Sequence, residues 1–221
     1  TTPWTLHGNT ALAVGADIKY VKVTRDGEHF ILAKDLLEKN FEMDGLIIEE
    51  EMDGAALKGK KFEPLFNYYV NSGLPGIENA FKIITTDFVD TETGTGIIHI
   101  AGGYGEDDMN AVIANDMPII QHVDMNGNFN PEVTEFSGKF VKGQDQNVAA
   151  FLEKNGLLFK KENFRHSYPH CWRCDTPLLN YATKAWFIRV TDLKDKLIAN
   201  NKKIHWQPEH LQEGRFGKWL E

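Results

Sequence analysis

An α+β fold dominated by a curled sheet is what this sequence predicts, and three observations predict it. Short runs of β-branched and aromatic residues, punctuated by glycine and polar turns, fill the first hundred positions. Helical periodicity is confined to a few short stretches further along. No internal repeat or low-complexity tract signals a solenoid or a disordered arm.

In chain order, residues 11–14 read as a first strand. Residues 20–24 and 29–33 flank Asp26-Gly27, a turn dipeptide whose spacing predicts a hairpin. A short helix follows around residues 35–39. Residues 46–50, 80–89 and 96–101 are further strands, the last two joined through Thr91-Glu92-Thr93-Gly94, where glycine and polar residues favour reversal. Residues 106–115 open with three acids, which suit a helix N-terminus. Residues 145–155 carry Val148, Phe151 and Leu152 at helical spacing before Gly156, and a third helix is expected over 193–200. After Phe164 the texture changes: His, Pro, Cys and Trp crowd 166–174, an alternating strand is predicted over 181–190, and a basic and aromatic tail follows. The boundary is placed near residue 165, giving units 1–165 and 166–221.

Bulk properties narrow the function. A chain of 221 residues, 42% hydrophobic and 11% aromatic, can bury a sizeable core. No apolar run approaches the roughly 20 residues that span a bilayer, and no basic-then-apolar leader opens the chain, so a soluble, cytoplasmic protein with no membrane partner is expected. The start at Thr1 and the abrupt end at Gly217-Lys218-Trp219-Leu220-Glu221 read as a piece of a longer chain. The two cysteines, Cys171 and Cys174, lie too close together to brace a domain, which excludes a disulfide scaffold. With 24 basic against 32 acidic residues the net charge is −8, so any nucleic-acid contact must be local. The pairs Lys60-Lys61, Lys160-Lys161 and Lys202-Lys203 read as solvated faces.

Several residues could carry chemistry, and each also has a plain structural reading. Thr1-Thr2-Pro3-Trp4-Thr5-Leu6 groups hydroxyls around a proline that fixes the chain, or is a strand end. His99 alternates with Ile98 and Ile100, just before Gly102-Gly103 would let the backbone pass close to a ligand; it is a pocket wall or an ordinary hydrogen-bonded histidine. Asp108 caps a helix with Glu106 and Asp107, or faces a cationic ligand group. Cys171-Trp172-Arg173-Cys174 has zinc-gripping C-x-x-C spacing, with His166 and His170 close enough in sequence to complete a site, yet no second cysteine pair exists in this chain.

The combination decides among these readings. Thr1-Thr2-Pro3-Trp4-Thr5-Leu6, then Asn9, then Gly94 through His99, then Gly105-Glu106-Asp107-Asp108 resembles, in order and spacing, the pocket signature of isoleucyl-tRNA synthetase editing domains. Residues 166–177 and Ala185-Trp186-Phe187-Ile188 resemble that family's return path into its catalytic domain. His-Ile-Gly-His and Lys-Met-Ser-Lys-Ser elements are absent, so no aminoacylation is expected. Two departures, Gly102-Gly103 after Ala101 and His7-Gly8 before Asn9, where the family favours proline, predict a looser pocket.

The resemblance implies a β-barrel-rich editing domain of the valyl/leucyl/isoleucyl-tRNA synthetase type, followed by a return segment from 166. It implies hydrolysis of valine misattached to isoleucine tRNA, with the tRNA acceptor end and the parent catalytic domain as partners. In this reading Asp108 holds the substrate ammonium, Thr1 and Thr2 orient ester and water, His99 walls the side-chain pocket or binds near the scissile ester, and Trp4 and Asn9 help bind the terminal adenosine or the loop that frames it, Trp4 being equally readable as a core residue. No cofactor is needed for the hydrolysis; Cys171 and Cys174 are candidate zinc ligands. The rival is a non-catalytic module that binds an amino acid or partner and carries a zinc knuckle.

Overall fold

The computed structural model describes residues 1–163 and 167–221. The chain divides into two compact units, Thr1–Ala182 and Thr183–Glu221. The texture of the sequence changes near 165, but residues 167–182 belong with the first unit.

The first unit is built on two three-stranded sheets. In one, β1 (Ala11–Val14) lies between β5 (Lys82–Thr85) and β6 (Ile98–Ile100), parallel to β5 and antiparallel to β6. In the other, β2 (Lys19–Arg25) lies between β3 (Glu28–Ala33) and β4 (Ile47–Asp53), antiparallel to both. The β2–β3 hairpin turns at Asp26 and Gly27, both with positive φ, 52° and 84°, which matches the right-handed strand twist. Tyr20 joins the sheets: its buried hydroxyl donates to the Gly96 carbonyl at 2.7 Å and accepts from the Gly15 N–H at 3.0 Å. Among the described residues neither ladder closes on itself, so the α+β class holds and the expected barrel is not seen.

The strands predicted over 80–89 and 96–101 do reverse direction, but they are not partners. β1 occupies the place between them, because its two alanines, Ala11 and Ala13, are fully buried on the face that packs Ile84, Ile98 and Ile100.

Helices cover what the sheets leave open. A short α1 (Leu37–Asn40) follows β3, α2 (Glu106–Ala114) follows β6, and α3 (Asp145–Lys154) buries Val148, Ala149 and Leu152. The segment Pro3–Gly8 is a 3-10 helix, not a strand end. It packs on α3, and the Trp4 N–H donates to Asp145 Oδ1 at 3.3 Å. Trp4 sits with Tyr104, Phe129, Phe136 and Val148 in one apolar cluster, its ring edge-on to Tyr104 at 5.0 Å.

In the second unit, α4 (Lys194–Asn201) is followed by α5 (Arg215–Leu220), and Asn201 holds the connecting segment: its side chain accepts from Trp206 Nε1 and donates to the Gln212 carbonyl, both at 2.8 Å. The alternating strand expected over 181–190 does not form: the run has no ladder partner, and Trp186, Phe187 and Ile188 are 101%, 90% and 79% exposed. Alternation alone cannot make a strand, because the ladder supplies its hydrogen bonds. Among the described residues no helix is long and apolar enough to cross a membrane.

Candidate functional site

Backbone pairing brings together residues that are remote in sequence. In the β1–β6 register Leu12 stands opposite His99 and Ala11 opposite Ile100. Ile98 and Ile100 face the apolar cluster, so alternation turns the His99 ring to the other side, towards the 3-10 helix and Asn9. There His99 Nε2 lies 3.1 Å from Thr5 Oγ1, and His99 Nδ1 lies 2.8 Å from Asn9 Nδ2. Thr5 Oγ1 also donates to the Thr2 carbonyl at 2.8 Å.

Burial lowers the His99 pKa to about 3, so the ring is neutral at physiological pH. Thr1 and Thr2 are exposed at the head of the helix. Thr2, Thr5, Asn9 and His99 thus form one hydrogen-bonded cluster, with Thr1 at its edge. Thr5 is the member not singled out from the sequence. The signal for it was present: in a 3-10 helix, residues three apart eclipse, so Thr5 falls directly over Thr2.

Asp108 is the third residue of α2. Its Oδ2 accepts the Ala101 N–H at 2.9 Å, which anchors the carboxylate to the end of β6, two residues beyond His99. Half-burial pushes its pKa above the usual carboxylate range, Asp107 pushes the same way, and the Ala101 N–H partly offsets both. Among the described residues no Lys, Arg or His pairs with it. Glu106 and Asp107 are exposed, as acids at a helix start ordinarily are.

Gly102 and Gly103 serve packing. A Cβ on Gly102 would meet Val112 Cγ2 at 2.4 Å, and one on Gly103 would meet the Ile120 carbonyl oxygen at 2.7 Å. The close approach expected there is to the protein itself.

One expected member, and one residue read as a departure from the family pattern, stand apart. Trp4, read as a substrate contact, is 4% exposed and lies in the core; the proline-fixed helix turns its ring inward. His7, whose place before Asn9 predicted a looser pocket, is 2% exposed and fills the core among Phe66, Phe129 and Phe136.

Cys171 and Cys174 lie on a tight knuckle. The Cys171 N–H donates to the Thr176 carbonyl at 2.9 Å, the Asp175 N–H to the Cys171 carbonyl at 2.8 Å, and His170 pairs with Pro177. Cys174 Sγ is 2.6 Å from the Thr176 hydroxyl, a contact that lowers its pKa, as does Cys171. Two thiols on one turn fit half of a four-ligand zinc site. His170 Nδ1 is already 2.9 Å from the Asp175 carbonyl, and His166 lies outside the described residues. Among the described residues no three His, Cys, Asp or Glu side chains cluster as a metal site.

Two surface clefts, of about 550 and about 450 Å³, are lined by residues 38–44 and by the surroundings of Phe30, Phe41 and Phe159. No site residue lines either one. The polar cluster is the stronger candidate, because it gathers neutral hydrogen-bonding groups within two residues of the backbone amide that holds a half-buried, unneutralised carboxylate.

Relatives over the full chain include an isoleucine–tRNA ligase of Clostridium novyi (strain NT), 48% identical over 221 residues, which are 100% of this chain and 21% of that protein. Another, from Treponema denticola, is 46% identical, again over 100% of this chain and 21% of its own length. The chain therefore spans about a fifth of the curated relatives it matches. Among solved structures, one described as "The crystal structure of GlLeuRS-CP1" superposes with a TM-score of 0.54 at 13% identity, covering 73% of this chain and 82% of that one, which shows a shared fold. The family model for tRNA synthetases class I (I, L, M and V) matches residues 1–221, and the chain belongs to that family.

Proposed function

We propose that this chain is the editing domain of an isoleucyl-tRNA synthetase and that it hydrolyses the ester linking valine to isoleucine tRNA. The observation that carries the reading is Asp108: a half-buried carboxylate with no cation of its own among the described residues, one oxygen pinned by the N–H of Ala101, which stands two residues past His99 of the neutral Thr5–His99–Asn9 cluster. A group with these properties suits the ammonium of an aminoacyl ester, and binding that cation would relieve the cost of burying the carboxylate.

The chemistry asks little of the side chains. An aminoacyl ester is already activated, so a positioned water and donors aimed at the developing oxyanion suffice. The Thr1 and Thr2 hydroxyls orient ester and water, and His99 walls the side-chain pocket. A pocket sized for valine rejects isoleucine by crowding. That step is useful because one methylene gives a synthetic site only about 1–3 kcal/mol of discrimination, isoleucine against valine being the familiar instance.

The partners in this reading are the acceptor end of isoleucine tRNA and the catalytic domain of the longer protein. Residues 166–221 form a return segment towards that domain, a reading supported by the exposed Trp186, Phe187 and Ile188. A zinc ion held by Cys171 and Cys174 would brace the knuckle, and the hydrolysis does not depend on it.

The test is deacylation of valyl and isoleucyl forms of isoleucine tRNA by this chain and by Asp108→Ala. Loss of valine alone is expected, with the variant slower by roughly ten- to hundredfold, the worth of a hydrogen bond to a charged group. Full activity in the variant would remove Asp108 from the mechanism. Tight amino-acid binding with no turnover of either ester would favour a binding module instead.

A further inference from the structure

Both ring nitrogens of His99 meet groups whose own hydrogens are fixed by third partners, and this decides where the single ring proton sits. Asn9 Nδ2 lies 2.9 Å from the Ala11 carbonyl oxygen, 3.4 Å from that of Ile100 and 2.8 Å from His99 Nδ1. Carbonyl oxygens only accept, so the amide atom facing two of them is the NH2 group and not Oδ1. One of its hydrogens points at Ala11, and the other reaches Nδ1, which must then carry the lone pair. The ring proton is left on Nε2, 3.1 Å from Thr5 Oγ1. Thr5 in turn commits its own proton to the Thr2 carbonyl at 2.8 Å. Each donor meets an acceptor, and the chain runs one way from Asn9 to Thr2.

We infer that Asn9 is a positioning residue of this site: its amide locks His99 as the neutral Nε2–H tautomer, and the ring passes that orientation through the Thr5 hydroxyl to the Thr2 backbone. The segment so held carries the two hydroxyls that the editing reading assigns to ester and water. Two roles are thereby closed. His99 has no free lone pair with which to act as general base, and the Thr5 hydroxyl is not the nucleophile. Asn9 acts through His99, a role that needs no adenosine contact.

The tautomer is a property of the chain alone, while its effect on hydrolysis rests on the editing reading, so the test reads both. Long-range proton–nitrogen NMR of the full chain at neutral pH, with His99→Gln used to assign its signals among the eight histidines, is expected to show His99 protonated on Nε2. In Asn9→Asp, which is nearly isosteric, the carboxylate can only accept, so the proton should move to Nδ1 and valyl ester hydrolysis should fall at least about tenfold. Thr5→Val should lose activity similarly, and Thr5→Ser should restore it. A wild-type ring protonated on Nδ1, or an Asn9→Asp ring still protonated on Nε2, overturns the inference. So does a switched tautomer with undiminished hydrolysis. If the tautomer switches as expected but the wild-type chain hydrolyses no ester, the relay stands and it is the editing reading that fails.

Discussion

Burial lowers the pKa values of three histidines of this chain, His7, His99 and His122. His7 is enclosed by Phe66 at 4.1 Å, Phe129 at 4.9 Å and Phe136 at 5.1 Å between ring centroids, with neither ring nitrogen hydrogen-bonded. Desolvation lowers its pKa to about 4, against a smaller opposing pull from Glu135. The unfolded chain, with a histidine pKa near 6.5, therefore binds a proton that the folded chain refuses. The His7 contribution is fully present above about pH 6.5 and is lost as the pH falls towards 4, on the order of 3 kcal/mol across that window. Urea denaturation at a series of pH values should show the loss, and His7→Phe should make it shallower, leaving the share of His99 and His122, whose pKa values are lowered to about 3. Next to it, a Cβ on Gly8 would stand 2.5 Å from His122 Nδ1, so Gly8→Ala should destabilise the fold by roughly 1–3 kcal/mol in the same assay. Neither effect was legible in the sequence, where His7-Gly8 read as a loosening of the pocket. Whether a histidine fills a core depends on rings contributed by residues 66, 129 and 136, which no local pattern reveals.

At the scale of elements, local rules succeeded where the decisive contacts are local. Asp26-Gly27 predicted the β2–β3 hairpin because both positions need positive φ and these residue types tolerate it. Gly27, at φ 84°, should not accept a branched side chain: Gly27→Val is expected to cost about 1–2 kcal/mol, read as a lowered urea midpoint with unchanged slope. The three acids opening α2 and the apolar spacing of α3 were equally readable. Failures came where a partner decides. The reversal between residues 85 and 98 was foreseen, but not the insertion of β1 between the two strands. Residues 181–190 alternate as a strand does, but among the described residues they join no ladder.

For the whole molecule, charge sets a limit on any RNA contact. A net charge of −8 leaves little counterion release to gain, so binding of isoleucine tRNA by this chain should be weak at physiological salt. The logarithm of the binding constant should fall with the logarithm of salt at a slope no steeper than about −3, the mark of a few phosphate contacts. Filter binding from 50 to about 200 mM salt would measure it. The site was legible at this scale as an ordered set of motifs spread over a hundred residues, and their family resemblance supplied the assignment. What the motifs could not convey was that Trp4 turns inward while Thr5, one residue on, joins His99.

The β1–β6 pairing also fixes a timetable. Thr5 and Asn9 stand 94 and 90 positions before the histidine they hold. At a synthesis rate of roughly 5–20 residues per second, the ribosome needs about 5 to 18 seconds to cover that gap. Through that interval the hydroxyl and amide are without the ring they will hold. The cluster therefore forms late and all at once, with the strand that carries His99, and a chain stalled before that strand lacks it altogether.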